Sequence, residues 1–158
     1  MVNEYDIVIE EGVESPISVE EIKADCNLVL SEEGVERPCT VSISIVSDAE
    51  IQQVNFEWRE KNAPTDVISL EVERPNDPDL APGEMCELGD IILAPNFIAR
   101  QAKEYGTTEA DEFRLMLVHA MLHLLGYDHI EESDKLVMRN KEKETMKLME
   151  VFKNEKEF

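Results

Sequence analysis

Hydrophobic residues recur along this chain with two periods, and these periods predict its secondary structure. Four short segments are rich in β-branched residues or alternate between apolar and polar positions, which is typical of strands. They are residues 5–9, 40–46, 66–70 and 88–93. Five longer segments have apolar residues at helical spacing and begin with capping residues or a proline, so they predict helices. They run from about 19 to 33, 49 to 59, 95 to 105, 108 to 125 and 134 to 152.

The order of these segments indicates the fold class. Strands alternate with helices, which favours an α/β or α+β fold with a small mixed sheet of four strands and about five helices. We predict a single domain over residues 1–158, with a C-terminal tail that frays from about residue 153. Residues 72–86 contain three prolines and a glycine. They predict a long loop, a type of segment that often has a functional role.

All three histidines of the chain lie within eleven residues, His-Ala-Met-Leu-His-Leu-Leu-Gly-Tyr-Asp-His. A helix here places His119 and His123, four residues apart, on one face. Gly126 can adopt the left-handed conformation that ends a helix, so the chain can turn back and bring in His129. Three neutral imidazoles and an open fourth position form a catalytic zinc site. The segment therefore predicts one zinc ion bound by His119, His123 and His129, rather than three unrelated histidines with local hydrogen bonds.

A metallopeptidase-like hydrolase is one alternative for this segment. Metzincin proteases space three histidines and a glycine in the same way, but a glutamate follows their first histidine. Here Ala120 occupies that position, so the usual peptidase base is absent. The general base of any hydrolysis therefore stays unassigned, with Asp128 as one candidate.

Three segments resemble the YbeY family of metal-dependent endoribonucleases. The histidine segment is similar to the family pattern His-Gly-x-Leu-His-Leu-x-Gly-Tyr-Asp-His, and it departs from that pattern at Ala120, where the family commonly has glycine. Residues 55–71 resemble a second pattern, Asn-x3-Arg-x4-Pro-Thr-Asp-Val-Leu-Ser-Phe. The matching residues there are Asn55, Arg59, Pro64, Thr65, Asp66, Val67 and Ser69. Residues 88–93 are similar to a third pattern, Leu-Gly-Asp-Ile-x-Ile.

This resemblance implies a zinc-dependent, single-strand-specific endoribonuclease that acts in ribosomal RNA processing and ribosome maturation. It implies catalytic roles for Arg59 and His119. The implied partners are single-stranded ribosomal RNA or a precursor of the small ribosomal subunit, together with ribosome-associated proteins. A guanidinium can bind phosphate oxygens through two parallel hydrogen bonds. The alternative for Arg59 is a structural arginine that meets the last carbonyls of its helix or pairs with a neighbouring glutamate.

Four other residues of these segments have two possible roles. Asp66 and Asp128 could each orient a histidine ligand, whereas Asp66 could equally cap a turn. Trp58 and Tyr127 could stack on RNA bases, but we expect both to be buried in the core.

The net charge conflicts with an RNA substrate. A formal charge of −21 argues against non-specific binding to phosphate backbones, which depends on Lys and Arg. An RNA site must therefore be a local basic patch, assisted by the charge of the metal. The acidic surface fits better with a second alternative, a non-catalytic assembly factor that has a structural metal and protein partners.

The remaining sequence features predict a cytoplasmic protein. No apolar segment approaches the ~18 residues that a membrane helix needs, and the first residues lack the pattern of a signal peptide. The three cysteines are scattered, without a Cys-x-x-Cys pair. They predict reduced thiols rather than a disulfide framework.

Overall fold

The computed structural model describes residues 2–127 and 131–156. Within these residues the chain forms the predicted strands and helices in the predicted order, and their ends differ from the predictions by a few residues. The strands are β1 (Glu4–Ile9), β2 (Cys39–Ile45), β3 (Val67–Glu71) and β4 (Cys86–Leu93). The helices are α1 (Val19–Glu32), α2 (Asp48–Arg59), α3 (Pro95–Tyr105), α4 (Glu109–Leu124) and α5 (Glu132–Lys156). The fraying predicted from about residue 153 and the single domain over residues 1–158 stay predictions.

The four strands form one mixed sheet in the order β1-β2-β4-β3. Strand β2 pairs in parallel with both β1 and β4, and β3 pairs antiparallel with β4 at the edge. Parallel pairs need long connections, which the helices provide here. The α+β class with a mixed four-stranded sheet is therefore confirmed.

Three helices begin with capping residues, as the sequence predicted. Ser18, Ser47 and Thr108 each accept a hydrogen bond from the backbone N–H three residues later. Such caps satisfy donors that the first helical turn leaves without a partner. The cap at Thr108 fixes the beginning of α4, the helix that carries His119 and His123.

Helix α4 lies in the main core, where it packs against α1, α3, α5 and the strands β3 and β4. It contributes the buried residues Phe113, Leu117, Ala120, Met121 and Leu124. Helix α1 contributes a buried stripe of Ile22, Cys26, Val29 and Leu30. A smaller cluster, which includes Ile51 of α2 and Ile92 of β4, forms separately. Because α4 is packed among several elements, the histidine helix has a fixed position.

At Gly89 in β4, both β3 and the histidine helix lie close to the β4 backbone. Its φ is +145°, and a Cβ atom there would lie 2.0 Å from the carbonyl oxygen of Leu70 and 3.2 Å from the side chain of Leu124. The register between β2 and β4 shifts by one residue next to Gly89, as at a β-bulge. A glycine is therefore required here for steric reasons.

The side chain of Trp58, which we expected to pack inside, is on the surface. It is 65% exposed, so its predicted burial is wrong. The buried stripe of α2 includes Ile51 and Asn55 but ends before Trp58, because the chain leaves the helix at Glu60 and the last turn faces solvent. In α5, Met138 is buried, whereas Leu136 is 61% exposed.

All three cysteines are buried free thiols, as predicted. Cys39 and Cys86 are direct neighbours on the parallel strands β2 and β4. Burial, assisted by the nearby Cys39 and Glu73, raises the pKa of Cys86 to about 12. Because a metal binds the thiolate, this protonated pair disfavours a structural zinc site at these cysteines. No helix among the described residues is long and apolar enough to cross a membrane.

Candidate metal centre

His119 and His123 lie on one face of α4, as the four-residue spacing predicted. The other faces of this helix are largely buried, whereas both histidines are partly exposed. The side chain of His119 is 30% exposed. The apolar residues of α4 thus hold the helix in the core and leave one narrow face, with the two imidazoles one turn apart, at the surface.

Each histidine has a hydrogen-bond partner on its Nδ1 atom. Nδ1 of His119 lies 2.6 Å from Oε1 of Glu142 in α5, and Nδ1 of His123 lies 2.9 Å from the carbonyl oxygen of Tyr127. An ionised carboxylate and a carbonyl can only accept, so each Nδ1–H donates. In a neutral ring with its proton on Nδ1, the lone pair is on Nε2. Nε2 is therefore the nitrogen through which both rings can ligate a metal.

The glycine turn after α4 provides the partner of His123. Gly126 has a φ of +108°, its N–H donates to the carbonyl of His123, and the N–H of Tyr127 donates to the carbonyl of Leu122. This pair of bonds is the Schellman arrangement that ends helices at a left-handed residue. The turn brings the carbonyl of Tyr127 back to the imidazole of His123.

The third predicted ligand, His129, and the candidate base Asp128 lie outside the described residues. Within residues 2–127 and 131–156, no group of three or more His, Cys, Asp or Glu side chains is placed to hold a metal ion. The two histidines that are described do fit a zinc ion in their chemistry. They are imidazoles on one face, and each Nδ1–H donates to a carboxylate or a carbonyl, as in most histidine ligands of metals.

Arg59 is at the C-terminal end of α2, where its side chain is exposed. Glu60 follows in the left-handed conformation with a φ of +57° and ends the helix. The side-chain amide of the buried Asn55 donates to the carbonyl of Ala63 at 2.9 Å, which fixes the loop after Arg59. Among the described residues, no carboxylate pairs with Arg59, and the structure gives no contact between Arg59 and either histidine. The alternative in which Arg59 pairs with a neighbouring glutamate is therefore not observed.

Asp66 caps a turn, and within the described part of the chain it contacts neither His119 nor His123. Its Oδ1 accepts hydrogen bonds from the backbone N–H of Val67 at 2.7 Å and from the hydroxyl of Thr65 at 3.2 Å, and its Oδ2 accepts from the amide of Gln101 at 3.2 Å. These bonds join the beginning of β3 to α3. Of the two roles considered for Asp66, the structure supports the cap.

Ala120, the departure from the family pattern, is buried in the main core with 1% exposure. Its methyl group therefore packs inside, away from the exposed face with the two histidines. This explains why the position can carry alanine, and it leaves no place there for a general base.

Tyr127 is partly buried against the main core, which agrees with the expected burial. Burial, together with the carboxylates of Glu33 and Glu144, raises its pKa to about 12. The phenol is therefore a neutral group beside the histidine turn at physiological pH.

Two residues near the histidines were missed from sequence. Glu142 lies on α5 at helical spacing from the buried residues Met138, Thr145 and Met149, so it belongs to the buried stripe of the helix. A charged residue on a buried stripe indicates a buried polar partner, and this signal was present in the sequence.

Arg74 belongs to the loop between β3 and β4, and its Nη1 lies 3.3 Å from the position that a Cβ atom of Gly126 would occupy. Arg74 also pairs with Glu71 at 2.9 Å. No local sequence pattern predicts that Arg74 lies beside Gly126, because the two residues are far apart in the sequence.

Comparisons with known proteins identify the family of this chain. The family model described as Endoribonuclease YbeY matches residues 9–150. A relative from Finegoldia magna, named Endoribonuclease YbeY, is 40% identical over 135 residues, which cover 85% of this chain and 85% of that protein. The Bacillus subtilis protein of the same name is 40% identical over 144 residues, covering 89% of this chain and 92% of that protein.

The fold also matches a solved structure. The solution structure of TM1509 from Thermotoga maritima aligns with a TM-score of 0.63 and 24% identity, covering 100% of this chain and 96% of the other. That similarity concerns the fold alone. The family model and the relatives show more, because they match most of the chain: it belongs to the Endoribonuclease YbeY family.

Proposed function

We propose that this protein is a zinc-dependent endoribonuclease that cuts single-stranded regions of ribosomal RNA during maturation of the small ribosomal subunit. Membership of the Endoribonuclease YbeY family supports the RNA-cleaving activity. The observation that supports metal dependence is the pair His119 and His123, on one face of α4 and each with its Nδ1–H engaged. The proposed location is the cytoplasm, which the three free thiols support.

In this proposal His119, His123 and His129 bind the ion, and Arg59 binds the scissile phosphate. A zinc ion, when bound, supplies Lewis-acid chemistry, which polarises a phosphoryl oxygen and lowers the pKa of water to ~7. The guanidinium of Arg59 stabilises the negative charge that develops on the phosphate oxygens in the transition state. Its exposure at the end of α2 leaves it accessible to RNA.

The acidic composition limits how this protein can bind RNA. With a net charge of −21, attraction for phosphates must come from a few cations, which we take to be Arg59, Lys61, Arg74 and the ion. Log affinity for a single strand falls by ~0.7 per neutralised phosphate for each tenfold rise in salt. We therefore expect a shallow slope that corresponds to a few phosphates, measured by RNA binding between about 50 and 200 mM salt. A slope that implies ten or more contacts would contradict this local patch.

The direct test of the activity is a cleavage assay on matched single-stranded and double-stranded RNA, with and without a chelator. We expect cleavage of the single strand by the zinc-loaded protein and its loss on chelation. Loss of metal without any change in cleavage would contradict the metal-dependent mechanism. Binding to ribosomal particles without RNA cleavage would favour the assembly-factor alternative, which the net charge of −21 supports. The peptidase alternative has less support, because Ala120 is buried and apolar.

A further inference from the structure

Glu142 connects α5 to the histidine helix at the candidate metal centre. Its side chain is only 13% exposed, and its Oε1 is 2.6 Å from Nδ1 of His119. Met138, one turn earlier, and Thr145, one turn later, are both buried, so Glu142 is on the side of α5 that packs inward. A carboxylate on such a stripe needs a compensating partner because burial without one costs free energy. His119 is that partner.

The part of α5 that carries Glu142 is held in place by other contacts. Met138 and Met149 pack in the main core. Nζ of Lys141 lies 3.7 Å from a carboxylate oxygen of Glu33, at the end of α1, and the hydroxyl of Thr145 donates to the carbonyl of Lys141 at 2.8 Å. Because these contacts do not involve His119, removing the carboxylate of Glu142 should leave α5 in position.

We propose that Glu142 is a positioning residue for the metal centre. It holds the proton of His119 on Nδ1, so Nε2 keeps the lone pair that a metal requires. His123 has a neutral carbonyl in the same place. Since a charged acceptor forms the stronger hydrogen bond, His119 becomes the more strongly oriented of the two ligands. This inference rests on the proposed metal-dependent function.

A purely structural role for Glu142 makes different predictions. If the contact served only to dock α5 on α4, removing the carboxylate would lower the melting temperature and leave the zinc affinity of the folded protein unchanged. A positioning role changes the affinity and the state of the imidazole instead. It also predicts partial rescue by Glu142→Gln, since the glutamine oxygen can still accept from Nδ1–H.

The experiment compares full-length wild type, Glu142→Ala, Glu142→Gln and Glu144→Gln. The last is a matched control, because it removes a charge from the same helix at a side chain that is 70% exposed. Zinc affinity is measured by competition with a chelator. The proton position on each imidazole of the metal-free proteins is measured by nitrogen-15 NMR at one fixed pH of about 8, where unshifted imidazoles are neutral. The chain has three histidines, so few signals need assignment.

We expect Glu142→Ala to weaken zinc binding about 10- to 100-fold, the usual effect of losing a partner of a ligating histidine. Glu142→Gln should lose less than about tenfold, and Glu144→Gln should match wild type. The proton of His119 should be on Nδ1 in wild type and should move to Nε2, the nitrogen that carries it in most free histidine side chains, in Glu142→Ala. Unchanged affinity and proton position in Glu142→Ala would overturn this inference alone. No zinc binding by wild type would overturn the metal centre and this inference with it.

Discussion

Replacing Arg59 with alanine is expected to reduce RNA cleavage by about 10²- to 10³-fold, the effect of removing one transition-state donor, while the fold and the bound zinc stay unchanged. The side chain is exposed and pairs with no carboxylate among the described residues, so its loss should not disturb packing. Arg59→Lys should recover only part of the rate, because an ammonium cannot form the planar two-pronged contact of a guanidinium. Single-turnover cleavage rates and melting curves measure the two effects separately.

Arg100→Ala is the matched control for this substitution. Arg100 is an exposed arginine of α3 that pairs with Asp48 and lies over the ring of Phe97. Removing it changes the net charge by the same amount, and we expect a slightly lower melting temperature with unchanged cleavage by the folded protein. If Arg59→Ala behaves like Arg100→Ala, Arg59 has a structural role and its assignment to the site is wrong.

Replacing Gly89 with alanine is expected to destabilise the fold by about 3–5 kcal/mol, which combines backbone strain with overpacking. The new methyl would overlap the carbonyl oxygen of Leu70 at 2.0 Å and press on Leu124 of the histidine helix. Neither the β3 backbone nor α4 can move without breaking sheet hydrogen bonds or core contacts. Since small domains have a free energy of unfolding of only about 5–15 kcal/mol, much of the stability should be lost in urea unfolding.

Gly34→Ala separates the clash at Gly89 from the conformational cost. Gly34 also has a positive φ, +68°, but a Cβ there would have no atom within 4 Å. Alanine should cost only about 1–2 kcal/mol at this position, the penalty of the left-handed conformation. If Gly89→Ala and Gly34→Ala lower the free energy of unfolding by the same amount, the close contacts at Gly89 add nothing to the cost of the left-handed conformation, and this account of Gly89 is wrong.

The sequence predicted well those features that local chemistry determines. Ser18, Ser47 and Thr108 cap their helices as expected, because a hydroxyl followed by a helical segment satisfies the first backbone donors wherever the helix lies in the fold. The placement of His119 and His123 on one face of a helix was also predictable from local sequence. It required only that the apolar residues around them form a helix, which they do.

Features that depend on distant segments could not be predicted in the same way. The periodicity of α2 put Trp58 on the inner stripe, but burial requires a neighbour over the last turn, and Trp58 is 65% exposed. The contact between Glu142 and His119 requires α5 to pack beside α4 in one particular register. Gly89 belonged to a weak family match, and its steric role becomes visible only when Leu70 and Leu124 are placed against it.

The central claim is that one divalent ion, bound by His119, His123 and His129, is required for RNA cleavage. The most direct test is to titrate zinc into chelator-stripped wild type and His123→Ala while measuring bound zinc per chain and the cleavage rate of single-stranded RNA. Wild type should bind about one zinc ion, as a single three-histidine site does, and cleavage should rise in proportion to occupancy. His123→Ala should lose both at the same zinc concentration. Equal zinc content in the two proteins, or full cleavage by stripped wild type, would contradict the account.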